Sequence, residues 1–233
     1  MNAAAGGGSL ISFPALLWAG YPALTANVTN TVALLPGYLG GTIGYRRELA
    51  GQRTRAIWLA AISVAGAVAG AALLLASPAR LFRDVVPWLI LFSCALLAAQ
   101  PWLAARLARL ESARPEERAP ALVAGQVACG AYGAYFGAGL GVMMLAFLAI
   151  FLRDDLQRLN ALKGALSLVI NAVAVVAFVV FGPVAWGPVA VMAALSLLGG
   201  QSGVLVARRL PAPVLRAAVI AFGIAVALVL LVG

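Results

Sequence analysis

The chain has 233 residues, of which 64% are hydrophobic and only 10% are charged, and its mean hydropathy is +1.04. A water-soluble domain of this length needs far more charge on its surface, so the composition excludes an ordinary soluble protein and indicates a membrane protein. The formal net charge of +9 comes from arginines in short loops and not from a continuous basic face, which argues against nucleic-acid binding.

Apolar stretches fill the first half of the chain, and most are long enough to cross a bilayer as a helix, which takes about 20 residues. In chain order the predicted elements are a short glycine-led segment at 6–19, a long helix at about 23–45, and spanning helices at about 56–76 and 85–105. The loop 46–55 holds four arginines against one glutamate.

The most polar stretch, 106–120, is interpreted as a linker between a first repeat at 1–105 and a second at 121–233. The second half begins with an apolar arm, continues with a short glycine-led segment, and ends in three long helices. These predicted elements lie at 121–136, 137–152, about 159–181, 188–207 and 213–232.

The two halves are related by a constant offset of 133 residues, which places Gly6 on Gly139 and Asn27 on Asn160. The motif A-A-x-S-x-x-G-x-x-x-G occurs at 60–70 and again at 193–203. Internal repeats of this kind are typical of secondary transporters. We assign helix packing, not substrate binding, to the glycines of the motif, which are Gly66, Gly70, Gly199 and Gly203.

The segment 137–152 is too short to cross about 30 Å of hydrocarbon, because a helix of that length reaches only about 24 Å. Glycines precede it, and irregular backbone at membrane depth must be buried in protein or line a cavity. We therefore expect 121–136 and 137–152 to be two half-helices of a re-entrant hairpin. The first half begins almost at its own break, so we expect either a missing first arm or a start inside a longer reading frame.

The distribution of arginine supports this hairpin and predicts its orientation. With a hairpin, the Arg-rich loops all face the cytoplasm, as the positive-inside rule requires, and the two halves are inverted. These loops are 46–55, 106–118, 153–158 and 208–216, and the opposite face receives 20–22, 77–84 and 182–187. The predicted fold is thus an all-α polytopic membrane protein with two inverted repeats and Gly-broken re-entrant half-helices.

Few residues offer chemistry inside the predicted spans. The chain has no histidine, and all seven acidic residues lie in loops or at helix ends, which argues against cation transport and leaves little for general acid–base catalysis. Asp154 and Asp155 can act near an entrance or be solvated at the interface. Cys94 and Cys129 lie in apolar stretches and are expected to be core residues.

Lys163 is the only lysine, and it lies about one turn inside an apolar helix. It can bind an anion near a helix N-terminus, or it can snorkel to the membrane surface. Its repeat equivalent is Asn30.

Asn27 and Asn160 recur at the repeat offset and have two interpretations, substrate binding or interhelical hydrogen bonding. Tyr132 and Tyr135 can line a cavity or form an interfacial belt, and the glycine breaks can present backbone N–H groups to an oxyanion. We expect Asn27, Asn160 and Lys163 to converge beside the breaks. The candidate substrate-binding residues are Gly6, Gly7, Gly8, Asn27, Thr29, Asn30, Tyr135, Gly137, Gly139, Gly141, Asn160 and Lys163.

The stretch A-G-G-G-S-L-I-S-F-P-A-L-L-W-A-G-Y-P-A-L-T-A-N-V-T-N at 5–30 resembles the first signature of the sulfite exporter (TauE/SafE) family. The runs G-A-G-L-G-V-M-M-L at 137–145 and L-N-A-L-K-G at 159–164 resemble the second. The resemblance covers nearly the whole chain and implies a multi-pass protein of the cell membrane. It also implies transport of small sulfur-containing or organic anions, such as sulfite, thiosulfate and sulfonates. The glycine run of the second copy departs from the pattern at Ala138 and Leu140.

The predicted function is therefore anion transport by alternating access in a bacterial inner membrane. The alternatives are a membrane-embedded scaffold or degenerate transporter without activity and, against the residue inventory, a membrane enzyme. The predicted partners are a small anion and the lipid bilayer, with no cofactor, and no signal indicates an oligomeric state.

Overall fold

The computed structural model describes residues 8–107, 119–152, 154–207 and 212–232, and each regular element within these ranges is an α-helix. Each helix coincides with one predicted segment, and the largest difference is at the fourth, which begins at Ala79 instead of about Val85. The helices are α1 (Ser9–Trp18), α2 (Ala23–Gly44), α3 (Arg53–Ala76), α4 (Ala79–Leu107), α5 (Ala119–Tyr135), α6 (Leu140–Phe151), α7 (Leu156–Phe181), α8 (Trp186–Ala207) and α9 (Ala212–Val232).

Within the described residues, three helices have the length and hydropathy to cross a membrane: Arg53–Ala76, Ala79–Trp102 and Gln157–Phe181. α2 is long enough but more polar, since its first half carries Asn27, Thr29 and Asn30. Every side chain from 26 to 33 is buried, so this part of α2 is surrounded by protein. Large apolar side chains on other helices, such as Val180 and Phe181, remain exposed and form a surface suited to lipid.

Six helix contacts form three pairs, and exchanging the two halves of the chain converts each contact into the other member of its pair. α1 contacts α2 as α6 contacts α7, α3 contacts α7 as α8 contacts α2, and α4 contacts α6 as α9 contacts α1. The helices α2 and α7, which are equivalent by the sequence offset, also contact each other. α5 has no equivalent among the described helices, and it packs on α3, α6 and α7.

Side-chain neighbours establish the direction of the central helices. Asn160, near the start of α7, contacts Tyr45 at the end of α2, whereas Gly182, just after α7, lies against Val28 near the start of α2. α2 and α7 are therefore antiparallel.

α5 runs parallel to α3 at close range. Gln126 donates to Ser63, and a Cβ added at Gly66 or Gly70 would lie 2.3 Å or 2.1 Å from a backbone oxygen of α5. Only glycine allows the two backbones to approach this closely, so the packing prediction for this pair is confirmed. The equivalent Gly199 and Gly203 lie outside the residues whose side-chain surroundings are described.

The start of α5 and the end of α6 lie at the same end of the molecule. α5 begins level with the start of α3, because the two helices are parallel. α6 leads directly to Asp154, which accepts a hydrogen bond of 2.5 Å from Arg55 Nη2 at the start of α3. Gln52 Nε2 also donates to the carbonyl oxygen of Arg158 at 3.2 Å. Residues 46–55 therefore adjoin residues 154–158, as a hairpin requires and as a single continuous span does not allow.

Candidate substrate-binding site

The chain reverses between α5 and α6 at two glycines in the left-handed backbone region. Gly137 has φ +76° and Gly139, which precedes the first residue of α6, has φ +75°. Side chains strain this conformation, and a Cβ at Gly137 would also lie 2.8 Å from the carbonyl oxygen of Gly133. The predicted glycine break is therefore present, with Gly141 in the first turn of α6.

Three neighbouring side chains hold this reversal in place. The carbonyl oxygen of Ala138 accepts hydrogen bonds from Ser93 Oγ at 2.9 Å and from Tyr132 Oη at 2.5 Å. The carbonyl oxygen of Tyr135 accepts one from Asn27 Nδ2 at 2.9 Å. Helices α2, α4 and α5 thus satisfy carbonyls that the reversal leaves without helical partners. Tyr132 is a structural anchor of the break, a role that neither sequence interpretation gave it.

A cavity of about 40 Å³ lies between α2, α6 and α7. A volume of this size holds more than one water molecule, each of which needs roughly 10–15 Å³. Its wall combines small residues, hydroxyl groups, one amide and one cation. The lining residues are Gly37, Tyr38, Gly41, Thr42, Tyr45, Gly141, Asn160, Lys163, Gly164 and Ser167.

Lys163 supplies the positive charge of this cavity and is partly buried. No hydrogen bond or ion pair joins its ammonium group to any residue that the structure describes. Asn160 lies one turn earlier on α7 and donates from Nδ2 to Tyr45 Oη at 3.2 Å. Gly141 brings the first turn of α6 to the same wall, where the helix dipole favours negative charge. The N–H groups of Leu140 and Val142 already donate to the carbonyl oxygens of Gly137 and Gly139. The described wall contains no Asp or Glu, so it suits an anion.

Three of the predicted residues thus meet at one cavity: Gly141, Asn160 and Lys163. The other described ones lie elsewhere, because Asn27 is in the first turns of α2 while Asn160 contacts Tyr45, just beyond the last turn of that helix. Eighteen residues of helix span about 27 Å, so the two asparagines do not share one centre. The expected convergence of both with Lys163 is replaced by two separate groups.

The second group comprises polar residues of α2 whose hydrogen bonds are interhelical. Asn27 contacts the α5–α6 reversal, Thr29 Oγ1 accepts from the backbone N–H of Ala185 at 3.0 Å, and Asn30 Oδ1 accepts from Ser12 Oγ at 2.5 Å. All three α2 side chains are buried.

The first glycine break is described only at its end. Gly8 has ordinary right-handed helical angles, and its carbonyl oxygen accepts from Ser12 Oγ at 3.0 Å. Gly6 and Gly7 lie outside the described residues, so their predicted role is a proposal without geometry.

Asp154 lies at the end of the molecule nearest this cavity, between α6 and α7. It pairs with Arg55 at 2.5 Å and with Arg158 at 2.8 Å, and its side chain is 18% exposed, so it is bridged and not freely solvated. Burial by itself raises the pKa of Asp154. The hydrogen bonds from Arg55 and from the N–H of Asp155 lower this pKa, as do the charges of Arg55 and Arg158, and the net result is a lowered pKa. Asp155 caps α7 by accepting from the N–H of Gln157 at 2.8 Å.

Comparison with known proteins yields a family and two curated relatives. The profile of the family described as sulfite exporter TauE/SafE matches residues 1–230. The chain belongs to the TauE/SafE family. A probable membrane transporter protein of Haemophilus influenzae is 28% identical over 87% of this chain and 78% of its own length. A probable membrane transporter protein of a Sinorhizobium species is 27% identical over 99% of this chain and 87% of its own length. No solved structure matches the chain.

Membership of the TauE/SafE family, together with the apolar helices, makes this a membrane protein of a transporter family and confirms the resemblance inferred from the sequence. The matched region spans the cavity residues of both α2 and α7.

The contribution of α2 to the cavity in this TauE/SafE protein was not foreseen from the sequence. The five residues of this part of the wall lie three or four positions apart, which is the spacing of one helix face. They are Gly37, Tyr38, Gly41, Thr42 and Tyr45. A stripe of small and hydroxyl-bearing residues at this spacing in an apolar helix was the available signal.

Proposed function

We propose that the protein transports small sulfur-containing or organic anions, of the sulfite, thiosulfate or sulfonate type, by alternating access. The observation that carries the proposal is Lys163, a cation without a partner among the described residues, in a cavity next to the start of α6. We propose further that the protein is a multi-pass protein of a bacterial cell membrane with the Arg-rich loops inside.

The chemistry of the wall supports an oxyanion as substrate. An ammonium group, an amide and hydroxyl groups are donors that converge on the cavity, and the helix dipole at the start of α6 adds positive potential there. Oxygens of a sulfite or sulfonate group are acceptors and carry the negative charge. The family description names a sulfite exporter, which agrees with this class of substrate.

The arrangement of the helices supports alternating access. Transporters of this kind hold substrate where two inverted repeats meet, and one repeat rocks against the other. α2 and α7 are equivalent by the 133-residue offset, run antiparallel and together form most of the cavity wall. On this proposal residues 1–105 and 121–233 are the two repeats, 106–120 is the linker, and α5 and α6 form the re-entrant hairpin.

Binding to the purified protein tests the site. Lys163→Met should weaken binding of the best ligand among the anions sulfite, thiosulfate and sulfoacetate and the zwitterion taurine by about tenfold or more, because hydrogen bonds to charged groups contribute about 1.5–3 kcal/mol. Lys163→Arg should be partly tolerated, since it keeps the charge and changes the geometry. Arg80→Met is the matched control, because it removes one positive charge from an exposed position at the far end of the molecule.

Uptake into proteoliposomes tests transport itself. The wild-type protein should move the same anion that it binds, and Lys163→Met should not do so at comparable concentrations. Binding without movement would support the scaffold alternative, and equal affinity of Lys163→Met and wild type would assign Lys163 to the membrane interface.

A further inference from the structure

We propose that Lys163 is also the coupling group of the transporter, so that it takes up one proton when the anion binds and releases it when the anion leaves. This inference rests on the proposed anion site and extends it to the driving ion. The observations that carry it are the position of Lys163 on the cavity wall and the absence of any counter-ion for it among the described residues.

The physical basis is the dependence of an ammonium group on its surroundings. Away from bulk water and without a counter-ion, a charged amine is disfavoured relative to the neutral amine, and a nearby negative charge reverses this preference. A bound anion therefore favours the protonated form of Lys163, and protonation favours anion binding to the same extent.

No other described group in the cavity can take this role. The groups of α2 that face Lys163 are the hydroxyls of Tyr38, Thr42 and Tyr45, and no Asp or Glu lines the described wall. α6 contributes Gly141, which is not titratable, and α3 and α5, which also contact α7, contribute no residue to the described wall.

Charged groups near the start of α7 have other partners, and Asp155 caps this helix by accepting from the N–H of Gln157. Asp154 bridges Arg55 and Arg158 at the cytoplasmic end proposed above. None of these three residues lines the cavity, so Lys163 alone supplies a charge that an anion can balance there.

Charge balance determines how many protons move with each anion. The loaded site contains one ammonium and one monovalent anion and is neutral, while the empty site with a neutral amine is also neutral. An empty site that kept its proton would carry an uncompensated charge through the change of access, which is costly in a medium of low dielectric constant. The cycle therefore moves one proton with each monovalent anion, taken from and released to the water that the cavity faces, and transfers no net charge.

Proton uptake during binding tests the coupling directly. The purified protein in dilute buffer with a pH indicator would be titrated with methanesulfonate and with thiosulfate, whose charges do not change between about pH 6 and about pH 9, a range below the ordinary lysine pKa of about 10.4. We expect uptake that rises with pH toward one proton per bound anion. The apparent affinity should fall in the same range, by up to about tenfold per pH unit.

Lys163→Arg provides the matched variant, because a guanidinium group stays protonated throughout this range. It should bind anion without proton uptake, and in proteoliposomes an imposed pH gradient should no longer drive accumulation. In the wild type the pH gradient should drive methanesulfonate accumulation, and a membrane potential alone should not.

The outcomes separate this inference from the proposed function. Anion binding by the wild type with no proton uptake at any pH would overturn the coupling and leave the anion site intact. Failure of the wild type to bind any of sulfite, thiosulfate, sulfoacetate and methanesulfonate would overturn both. Because these two results come from the wild-type protein, a folding defect of Lys163→Arg does not affect the conclusion.

Discussion

Two asparagines that occupy equivalent positions in the sequence have different surroundings in the structure. Asn27 is 1% exposed and satisfies the carbonyl oxygen of Tyr135 at the α5–α6 reversal, whereas Asn160 lines the cavity and donates to the hydroxyl of Tyr45. Both amides thus make bonds between distant parts of the chain, and substrate binding by Asn160 stays a proposal that rests on its place in the cavity wall.

We predict that Asn27→Leu lowers stability more than binding and that Asn160→Leu does the opposite. Loss of the Asn27 amide leaves a buried carbonyl unsatisfied, which costs about 1–3 kcal/mol. Loss of the Asn160 amide removes one neutral hydrogen bond to the anion, worth about 0.5–1.5 kcal/mol, or roughly threefold to tenfold in affinity. Thermal unfolding in detergent and anion titration of both variants check this. Equal effects of the two substitutions on stability would contradict it.

The lowered pKa of Asp154 predicts that the stability of the protein depends on pH. Its pKa in the folded protein is lowered by Arg55 and Arg158 despite partial burial, so its contribution is present above the ordinary carboxyl pKa of about 3.9. This contribution is lost as the pH falls through the lowered folded-state value. Asp154→Asn should unfold at a lower temperature than wild type near pH 7, and the difference should shrink on acidification. A difference that widens at low pH would rule out this role.

At the scale of helices, the close contact of α3 with α5 depends on glycine. A Cβ at Gly70 would lie 2.1 Å from the carbonyl oxygen of Ala131, and backbone cannot move aside as a flexible side chain can. We predict that Gly70→Ala destabilises the protein by about 1–3 kcal/mol or more. Gly40→Ala on α2 is the control, since a Cβ there meets nothing within 4 Å and alanine favours the helix. Thermal unfolding of both variants measures the difference, and equal stability would contradict the close contact.

The helices themselves could be predicted from the sequence because apolar length and glycine or proline boundaries act locally. The hairpin of α5 and α6 could be predicted from the length of one segment and from the loop charges. The bonds that hold it could not be predicted, since Ser93 and Tyr132 meet Ala138 only after α4 and α5 have packed. Contacts between residues distant in the chain are a property of the tertiary fold and leave no periodic signal.

In the candidate site, too, some residues could be predicted from the sequence and others could not. Lys163 could be singled out because a lone cation in an apolar helix is unusual, and Gly141 because it follows a break. Tyr38, Thr42 and Tyr45 were missed because hydroxyl-bearing residues in an apolar helix are compatible with many packing roles. Their place in the cavity wall depends on α7 lying antiparallel to α2, which brings Asn160 opposite Tyr45.

At the scale of the whole molecule, the two ends differ in charge. The end formed by residues 46–55 and 154–158 carries five arginines, Arg46, Arg47, Arg53, Arg55 and Arg158, whereas the opposite end, with the starts of α4 and α8, carries Arg80 and Arg83. From the positive-inside rule we expect the first end to face the cytoplasm. Because residues 46–55 and 154–158 adjoin, they must lie on the same side whichever orientation the protein has.

Cysteine labelling in intact cells tests which end faces the cytoplasm and whether the two adjoining loops share a side of the membrane. Each variant carries one exposed cysteine. Ala50→Cys and Gln157→Cys mark the first end, and Arg80→Cys and Gly187→Cys mark the second. Ala50 is preferable to Gln52, which is only 3% exposed. The native Cys94 and Cys129 are free and buried, as expected, and can be replaced by alanine for a silent background.

We predict that an impermeant maleimide labels the Arg80→Cys and Gly187→Cys variants from outside and labels the Ala50→Cys and Gln157→Cys variants only after the membrane is opened. Reversal of all four results would show that the orientation is wrong while the hairpin is right, because the paired loops would still share a side. Labelling of Gln157→Cys but not Ala50→Cys from outside would separate the two loops by the membrane. That result is incompatible with the ion pair between Arg55 and Asp154, so it would refute the re-entrant arrangement of α5 and α6 and, with it, the proposed inversion of the two halves and the alternating access proposed from it.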